Sequence, residues 1–234
     1  MTAPRRSRAL VTGASRGFGL SVVNALSRSS WEVLALTRGT IPQFERPELV
    51  VSVVGDVTAP TVSERLHATL EDKPLDVLIN NAGIGAAGTT LATASVDELS
   101  ALFDVHVLGP LRVTKSVLQN LSRADHPLIL NVSSRLSSMR LEAAGDFRQI
   151  QTSYAYRVAK AAQNKLTIAM AQELELKGLR VWAVHPGRLR TALARDDATM
   201  DPVEAAERLV ALVQDTGGPP LRFVSLEDGR DLPW

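Results

Sequence analysis

Short apolar runs alternate along this chain with longer stretches in which apolar residues recur three and four positions apart. "RALVTG" at 8–13 predicts a buried strand ending in glycine, and "FGLSVVNALSRS" at 18–29 follows with helical spacing. "WEVLALTR" at 31–38 and the valine-rich "ELVVSVVGDV" at 48–57 predict two more strands. "TVSERLHATLED" at 61–72 opens after a proline and reads as a helix. "LDVLINNAG" at 75–83 predicts a fourth strand with a polar, glycine-terminated end, and a long helical stretch covers roughly 96–122. "PLILNVSS" at 127–134 is a fifth strand, a polar connection spans 137–152, and a long helix runs from 153 to about 177, with "KG" as its stop. "LRVWAVHPG" at 179–187, a helix at 201–215 and a short strand "PLRFVS" at 220–225 complete the pattern.

Strands alternating with helices imply a parallel sheet covered on both faces, and the near-continuous apolar strands agree with burial from both sides. No Pro/Gly/Ser-rich linker divides the chain and no repeat occurs, so residues 1–234 are expected to form one doubly wound α/β domain of about seven strands. In that architecture ligands bind beyond the carboxyl ends of the strands, so each polar strand end should point into one crevice.

Composition narrows the function classes. With a net charge of +1 and 22% charged residues, the chain offers no electrostatic argument for nucleic acid or an anionic membrane. The basic start "PRRSR" reads as part of a flexible, solvated tail over 1–7 rather than a binding arm. There is no cysteine, which excludes disulfides, thiolate catalysis and cysteine-ligated metals. No apolar run reaches membrane-spanning length and the start lacks a secretory pattern, so a cytoplasmic location is expected. The chain has only five Lys among its 26 basic residues, so a well-placed lysine stands out.

The first strand ends in "TGASRGFG", with glycines at 13, 17 and 19. One more residue separates the first two glycines than in the common dinucleotide fingerprint, but the physics is the same. Glycines allow a tight turn and a close approach of backbone N–H groups to a pyrophosphate, and the helix that follows presents its N-terminus to the negative charge. A purely structural turn is the alternative. An NAD site usually has an acid at the end of the second strand; here that position is Arg38, and Arg16 sits inside the turn. Two guanidiniums suit a 2′-phosphate, which favours NADP over NAD unless both are ordinary surface arginines. Asp56 closes the third strand, either against an adenine edge or as a turn residue, and "NNAG" at 80–83 closes the fourth.

The stretch "SYAYRVAKAAQNKL" at 153–166 holds the chain's two tyrosines. Tyr156 lies four residues before Lys160, so the two share a helix face. A nearby ammonium lowers the pKa of a phenol, which is otherwise a poor acid or base at neutral pH. The plain alternative is a packing tyrosine and a snorkelling lysine. Tyr154 has Val158, not a lysine, four residues on, and is expected to pack or to line a pocket.

"TGASRGFG", "NNAG", "NVSS", "YRVAK" and "HPG" followed by a threonine occur in one order along one sheet. Together, over nearly the whole chain, they resemble the short-chain dehydrogenase/reductase family in its short form. The helix "SYAYRVAKAAQN" and the ending "DGRDLPW" are most similar to the branch of C-factor-like and sniffer-like carbonyl reductases. The resemblance implies a Rossmann fold and hydride transfer between NADP(H), rather than NAD(H), and a carbonyl or alcohol substrate. It implies Tyr156 as acid/base, Lys160 as its partner on the nicotinamide ribose, and Ser134 as the group that bonds the carbonyl. Ser133 competes with Ser134, since adjacent strand residues face opposite sides; family position favours Ser134. By the same resemblance the cofactor is held by Gly13, Ser15, Arg16, Gly17, Phe18, Gly19, Arg38, Asp56, Val57, Asn81, Ala82, Gly83, Tyr156, Lys160, Pro186, Gly187, Leu189 and Thr191.

Two features depart from the family pattern. Its usual asparagine in the central helix, which supports a water linked to the lysine, is replaced by His106 in "FDVHVLGP". Histidine can hold the same water, can add a titrating group, or can damage the relay; a satisfied buried histidine is the plain alternative. The segment 135–152 is long for a compact member and is expected to be a substrate-side loop insertion, where Arg135, Met139, Arg140 and Phe147 are candidates to touch substrate. His67, His126 and His185 read as structural, and no metal is expected. An NADP(H)-binding sensor with weak or no turnover, and an epimerase or dehydratase using transient oxidation, remain as rival functions. Family habit and a helix at 153–177 that is apolar on two faces imply a homodimer or homotetramer.

Overall fold

The computed structural model describes residues 5–86, 88, 90–150, 152–190 and 198–234. Its strands, in chain order, are β1 (Arg8–Thr12), β2 (Glu32–Thr37), β3 (Val50–Val54), β4 (Val77–Asn80), β5 (Leu128–Val132), β6 (Arg180–His185) and β7 (Leu221–Ser225). They pair in the order β3-β2-β1-β4-β5-β6-β7, all parallel. The helices are α1 (Gly17–Arg28), α2 (Val62–Leu70), α3 (Val96–Phe103), α4 (Gly109–Leu121), α5 (Met139–Ala144), α6 (Tyr154–Leu174) and α7 (Pro202–Gln214). The expected doubly wound Rossmann-type domain is therefore what forms.

The period-two alternation of the strands sorts the core into two layers. Ala9 and Val11 of β1 face the side where α1 and α7 pack, with Val22, Leu26 and Leu209. Leu10 faces the other side, toward Leu66, Val117 and Leu174 of α2, α4 and α6. The strand order reverses between β1 and β4, which opens a crevice between their carboxyl ends.

A buried polar chain ties the second layer to the sheet. Asn80 and Asn131 are register partners on β4 and β5, and Asn80 Nδ2 donates to Asn131 Oδ1 at 2.9 Å. Asn131 Nδ2 donates to Thr167 Oγ1 at 2.9 Å, and that hydroxyl donates to the Gln163 carbonyl at 2.9 Å. Both partners lie on α6, so the chain fixes that helix over the end of β5.

Three segments differ from the sequence reading. The long helix expected over 96–122 is interrupted by a π-helical turn, Asp104–Leu108, which ends where Pro110, with no N–H to donate, follows. The segment 135–152 is not only loop: a 3₁₀ turn, Arg135–Ser137, and α5 form within it, α5 starting at the Ser138 hydroxyl, which accepts from Leu141 N. Of the expected tail at 1–7, residues 1–4 lie outside the described residues, while Arg5 pairs with both carboxylate oxygens of Asp76 at 2.7 and 2.8 Å and so is held at the end of the sheet.

Asn131→Ala should leave Asn80 Nδ2 and Thr167 Oγ1 without their partners. It is expected to cost roughly 3 kcal/mol, at about 1–3 kcal/mol for each orphaned group, read as a lower urea midpoint with an unchanged m-value.

Candidate active site

The crevice is floored by the β1–α1 turn. Thr12 Oγ1 accepts from the N–H groups of Asn81 (3.0 Å) and Ala82 (2.9 Å), while Asn81 Nδ2 donates to the Thr12 carbonyl at 2.9 Å. These bonds draw the ends of β1 and β4 so close that a Cβ on Gly13, which has φ +68°, would lie 2.7 Å from Ala82 Cα. A Cβ on Gly19 would fall onto the Gly13 carbonyl and the Asn81 side chain. The N-terminus of α1 opens into this space with no side-chain cap and no acidic residue in its first turn, so its first N–H groups remain available to an anion.

The resulting cleft has a volume of about 340 Å³, and every expected cofactor residue among the described ones lines it. Thr191 lies outside the described residues. At the outer end, the guanidiniums of Arg16 and Arg38 have no partner among the described residues. Asp56 lines the cleft there, and one of its carboxylate oxygens accepts from Thr58 N (2.9 Å) and Thr58 Oγ1 (2.8 Å). Leu36, Gly55, Ile84 and Val105 also line the cleft and were not singled out in the sequence.

At the inner end, Ser153 caps α6 by accepting from Tyr156 N at 3.0 Å, and Tyr156 and Lys160 project from one face of the helix. Lys160 Nζ lies 6.0 Å from the centre of the Tyr156 ring. The ammonium is buried and donates to the Val132 carbonyl (2.8 Å) and Gln163 Oε1 (3.0 Å). With no carboxylate to offset it, burial pushes the Lys160 pKa down to about 7.

His106 meets the Tyr156 ring edge-on, 5.9 Å between centres at 87°. The π-helical turn aims the imidazole at the fourth strand's end, where its Nε2 lies 2.9 Å from the Ile84 carbonyl. A carbonyl only accepts, so Nε2 carries the hydrogen and the buried Nδ1, which has no partner among the described residues, is left as an acceptor. Burial, and then the Lys160 charge, lower the His106 pKa to about 3, so the ring is neutral across the neutral range. Gly83 is needed beside it: a Cβ there would lie 2.9 Å from His106 Cε1.

The two serines do not divide as strand alternation suggests, because β5 ends at Val132, before either of them. Ser133 lines the cleft and its hydroxyl donates to Asn164 Oδ1 at 2.7 Å. Ser134 stands just outside that lining; its Oγ accepts from Leu136 N at 3.2 Å, capping the 3₁₀ turn, and its own hydrogen has no partner among the described residues. Of the candidates in 135–152, Phe147 is buried in the protein's interior, whereas Met139 is largely exposed. Tyr154 faces away from Tyr156, beside Val158 in a second hollow. His67 Nε2 bonds the Ser116 carbonyl at 2.7 Å, a structural role. No group of three or more metal-binding side chains occurs among the described residues. The residue missed at the centre is Gln163, whose signal was its position three after Lys160 on the same face of α6.

Residues 7–202 match the short chain dehydrogenase family. The chain belongs to that family. Among its relatives, the C-signal protein of Myxococcus xanthus is 30% identical over 165 residues, covering 69% of this chain and 93% of that protein. The NADPH-bound carbonyl reductase from chicken fatty liver superposes with a TM-score of 0.84 at 26% identity, over 99% of this chain and all of the other. A carbonyl reductase of Pseudomonas aeruginosa PAO1 in complex with NADP gives 0.79 at 27% identity, over 97% of this chain and all of the other. The likeness to the C-factor-like and carbonyl reductase branch, expected from the motifs, is thus found. No described helix is long and apolar enough to cross a membrane.

Because the Lys160 pKa is lowered in the folded protein, the unfolded chain binds more protons between about pH 7 and 10.5. The stability of the wild type relative to Lys160→Met should therefore be flat below about pH 7. Above it, that difference should rise by up to about 1.4 kcal/mol per pH unit, in urea unfolding from pH 6 to 10.

Proposed function

We propose that this protein is an NADP(H)-dependent oxidoreductase acting on a carbonyl or alcohol substrate, a carbonyl reductase in the reductive direction. The observation that carries this is the convergence of Tyr156, Lys160 and neutral His106 at the inner end of a glycine-floored cleft whose outer end holds two guanidiniums without partners among the described residues. The residues fit the cofactor. Arg16 and Arg38 suit the 2′-phosphate, the uncapped N-terminus of α1 suits the pyrophosphate, and Gly13 and Gly19 leave room for close approach. NADPH-bound and NADP-bound neighbours at 26% and 27% identity support the same choice.

Bound there, the nicotinamide would supply the hydride. The chain's own groups handle the oxygen. Tyr156 gives its phenolic proton to the substrate oxygen, and Ser134 turns its free hydroxyl hydrogen to the same atom and stabilises the charge that develops there. Lys160, fixed by Val132 and Gln163, holds positive charge beside the phenol and favours its ionised form. His106 Nδ1 accepts a hydrogen bond from a water that resupplies Lys160, the part played by asparagine in the family pattern.

Self-association belongs to this reading. Phe103, Tyr154 and Val158 are exposed apolar side chains on the adjoining α3 and α6. Sedimentation equilibrium should show a dimer or tetramer.

Titration by fluorescence and turnover on a panel of aldehydes, ketones and quinones test the function. NADPH should bind more tightly than NADH, Arg38→Ala should remove about tenfold of that preference, and Tyr156→Phe should lower kcat by roughly a thousandfold. Tight binding with no turnover on any substrate would favour a nucleotide-binding role without chemistry.

A further inference from the structure

The chain after β7 doubles back in an ordered segment that no step above uses. Leu226 N donates to the carbonyl of His185, which hangs the turn on the end of β6. Arg208 of α7 grips the same turn through the carbonyls of Leu226 (2.7 Å) and Glu227 (2.6 Å). Glu227 then reaches beneath the cofactor side of the cleft: its Oε1 accepts from Arg188 N at 3.1 Å and Arg188 Nε at 3.0 Å. Gly187, with φ +96°, lies directly over it, where a Cβ would be 3.0 Å from Glu227 Cγ. Pro186, Gly187 and Leu189 of this loop line the cleft.

Residues 230–232 return antiparallel along β7. Ser225 N donates to the Arg230 carbonyl, Leu232 N to the Phe223 carbonyl, and Asp231 pairs with Arg222 Nε at 2.6 Å. The return ends at Trp234, whose ring packs on Phe223 with 5.2 Å between centres. The Trp234 main-chain oxygen accepts from Arg140 N at 3.1 Å. Arg140 is the second residue of α5, in the first turn, where N–H groups have no partner within the helix. α5 begins five residues after Ser134, and its Met139, Glu142 and Ala143 line the second hollow beside Tyr154, next to the cleft that Pro186, Gly187 and Leu189 line.

We propose that residues 226–234 strap together two walls: the loop at 186–190, which borders the cleft, and α5, which borders the second hollow. Glu227 is the positioning residue for the loop at 186–190, and Trp234 is the positioning residue for α5 and the Ser134 turn. The names of the two walls rest on the oxidoreductase reading; the strap itself rests on the contacts alone. Neither residue lines the cleft, so each acts through the element it holds.

The test compares Glu227→Gln and Trp234→Ala in the full chain. Weakening one anchor by about the worth of one net hydrogen bond, through the Glu227 charge or through the Trp234 ring packing, should appear as roughly a fivefold change in the ligand of that wall only. Glu227→Gln should weaken NADPH binding about fivefold and leave the KM of the carbonyl substrate within twofold. Trp234→Ala should raise that KM about fivefold and leave the NADPH Kd within twofold, and Trp234→Phe, which keeps a ring on Phe223, should restore it. Amide hydrogen exchange gives a second reading that needs no activity: the Arg140 N–H should exchange faster in Trp234→Ala alone, and the Arg188 N–H in Glu227→Gln alone. Equal effects of both variants on both ligands and both amides, or no effect of either, would overturn the proposal. A wild type that binds no nicotinamide cofactor would overturn the oxidoreductase reading instead, and the exchange pattern would still decide the strap.

Discussion

A buried ammonium with no counter-charge organises this molecule. Lys160 is out of water and is held by one carbonyl and one amide oxygen, neither of which carries charge. Such a group is tolerated only if its donors are satisfied and its surroundings are rigid. The chain from Asn80 through Asn131 and Thr167 to Gln163 supplies that rigidity, because it locks α6 to the ends of β4 and β5. The same elements carry Tyr156 and the turn that holds Ser134. Stability is therefore given up at Lys160 and recovered in the polar network around it, as happens at many functional sites.

Two close approaches set the dimensions of the cleft. One is the Thr12–Asn81 pairing, which brings β1 and β4 together where the strand order reverses and leaves no room for a Cβ on Gly13 or Gly19. The other is the contact of Gly83 with His106, made possible by the π-helical turn. The first places the floor that a phosphate group would meet, and the second seats a neutral ring against the tyrosine. Both depend on glycines at the ends of parallel strands, where backbone and not side chain must form the wall.

Much of this was legible in the sequence, for physical reasons. Strands of a covered parallel sheet read as apolar runs bounded by turn residues, so the positions of β1 through β7 followed from the pattern of the chain. The turn at Gly13 and the Tyr156–Lys160 pair were visible because a close approach and a shared helix face each leave a spacing. The rest was hidden where partners come from elsewhere in the chain. Gln163 belongs to no motif and takes its role only from the bond that Lys160 donates to it, and Ile84 contributes only a carbonyl, which has no sequence signature. Strand alternation could not separate the two serines, because β5 ends at Val132, before either of them. The interruption of the helix over 96–122 has a local signal in Pro110, but a π turn has no residue pattern of its own to announce it. α5 was missed because six residues are too few for a helical period to emerge from a polar stretch.

The return of residues 230–232 along β7 also changes what kind of edge the sheet presents. An open parallel sheet ends in a row of unused peptide groups that invites a strand from another chain. Here the peptide groups of Phe223 and Ser225 are already bonded to the returning segment. Growth of the sheet is blocked at that margin, over the part nearest the cleft. β3, at the other margin, carries exposed Val51 and Val54 and has no such cover among the described residues. The molecule is therefore asymmetric toward aggregation: its active-site margin is closed by its own backbone, and its vulnerable margin lies at the far side of the sheet.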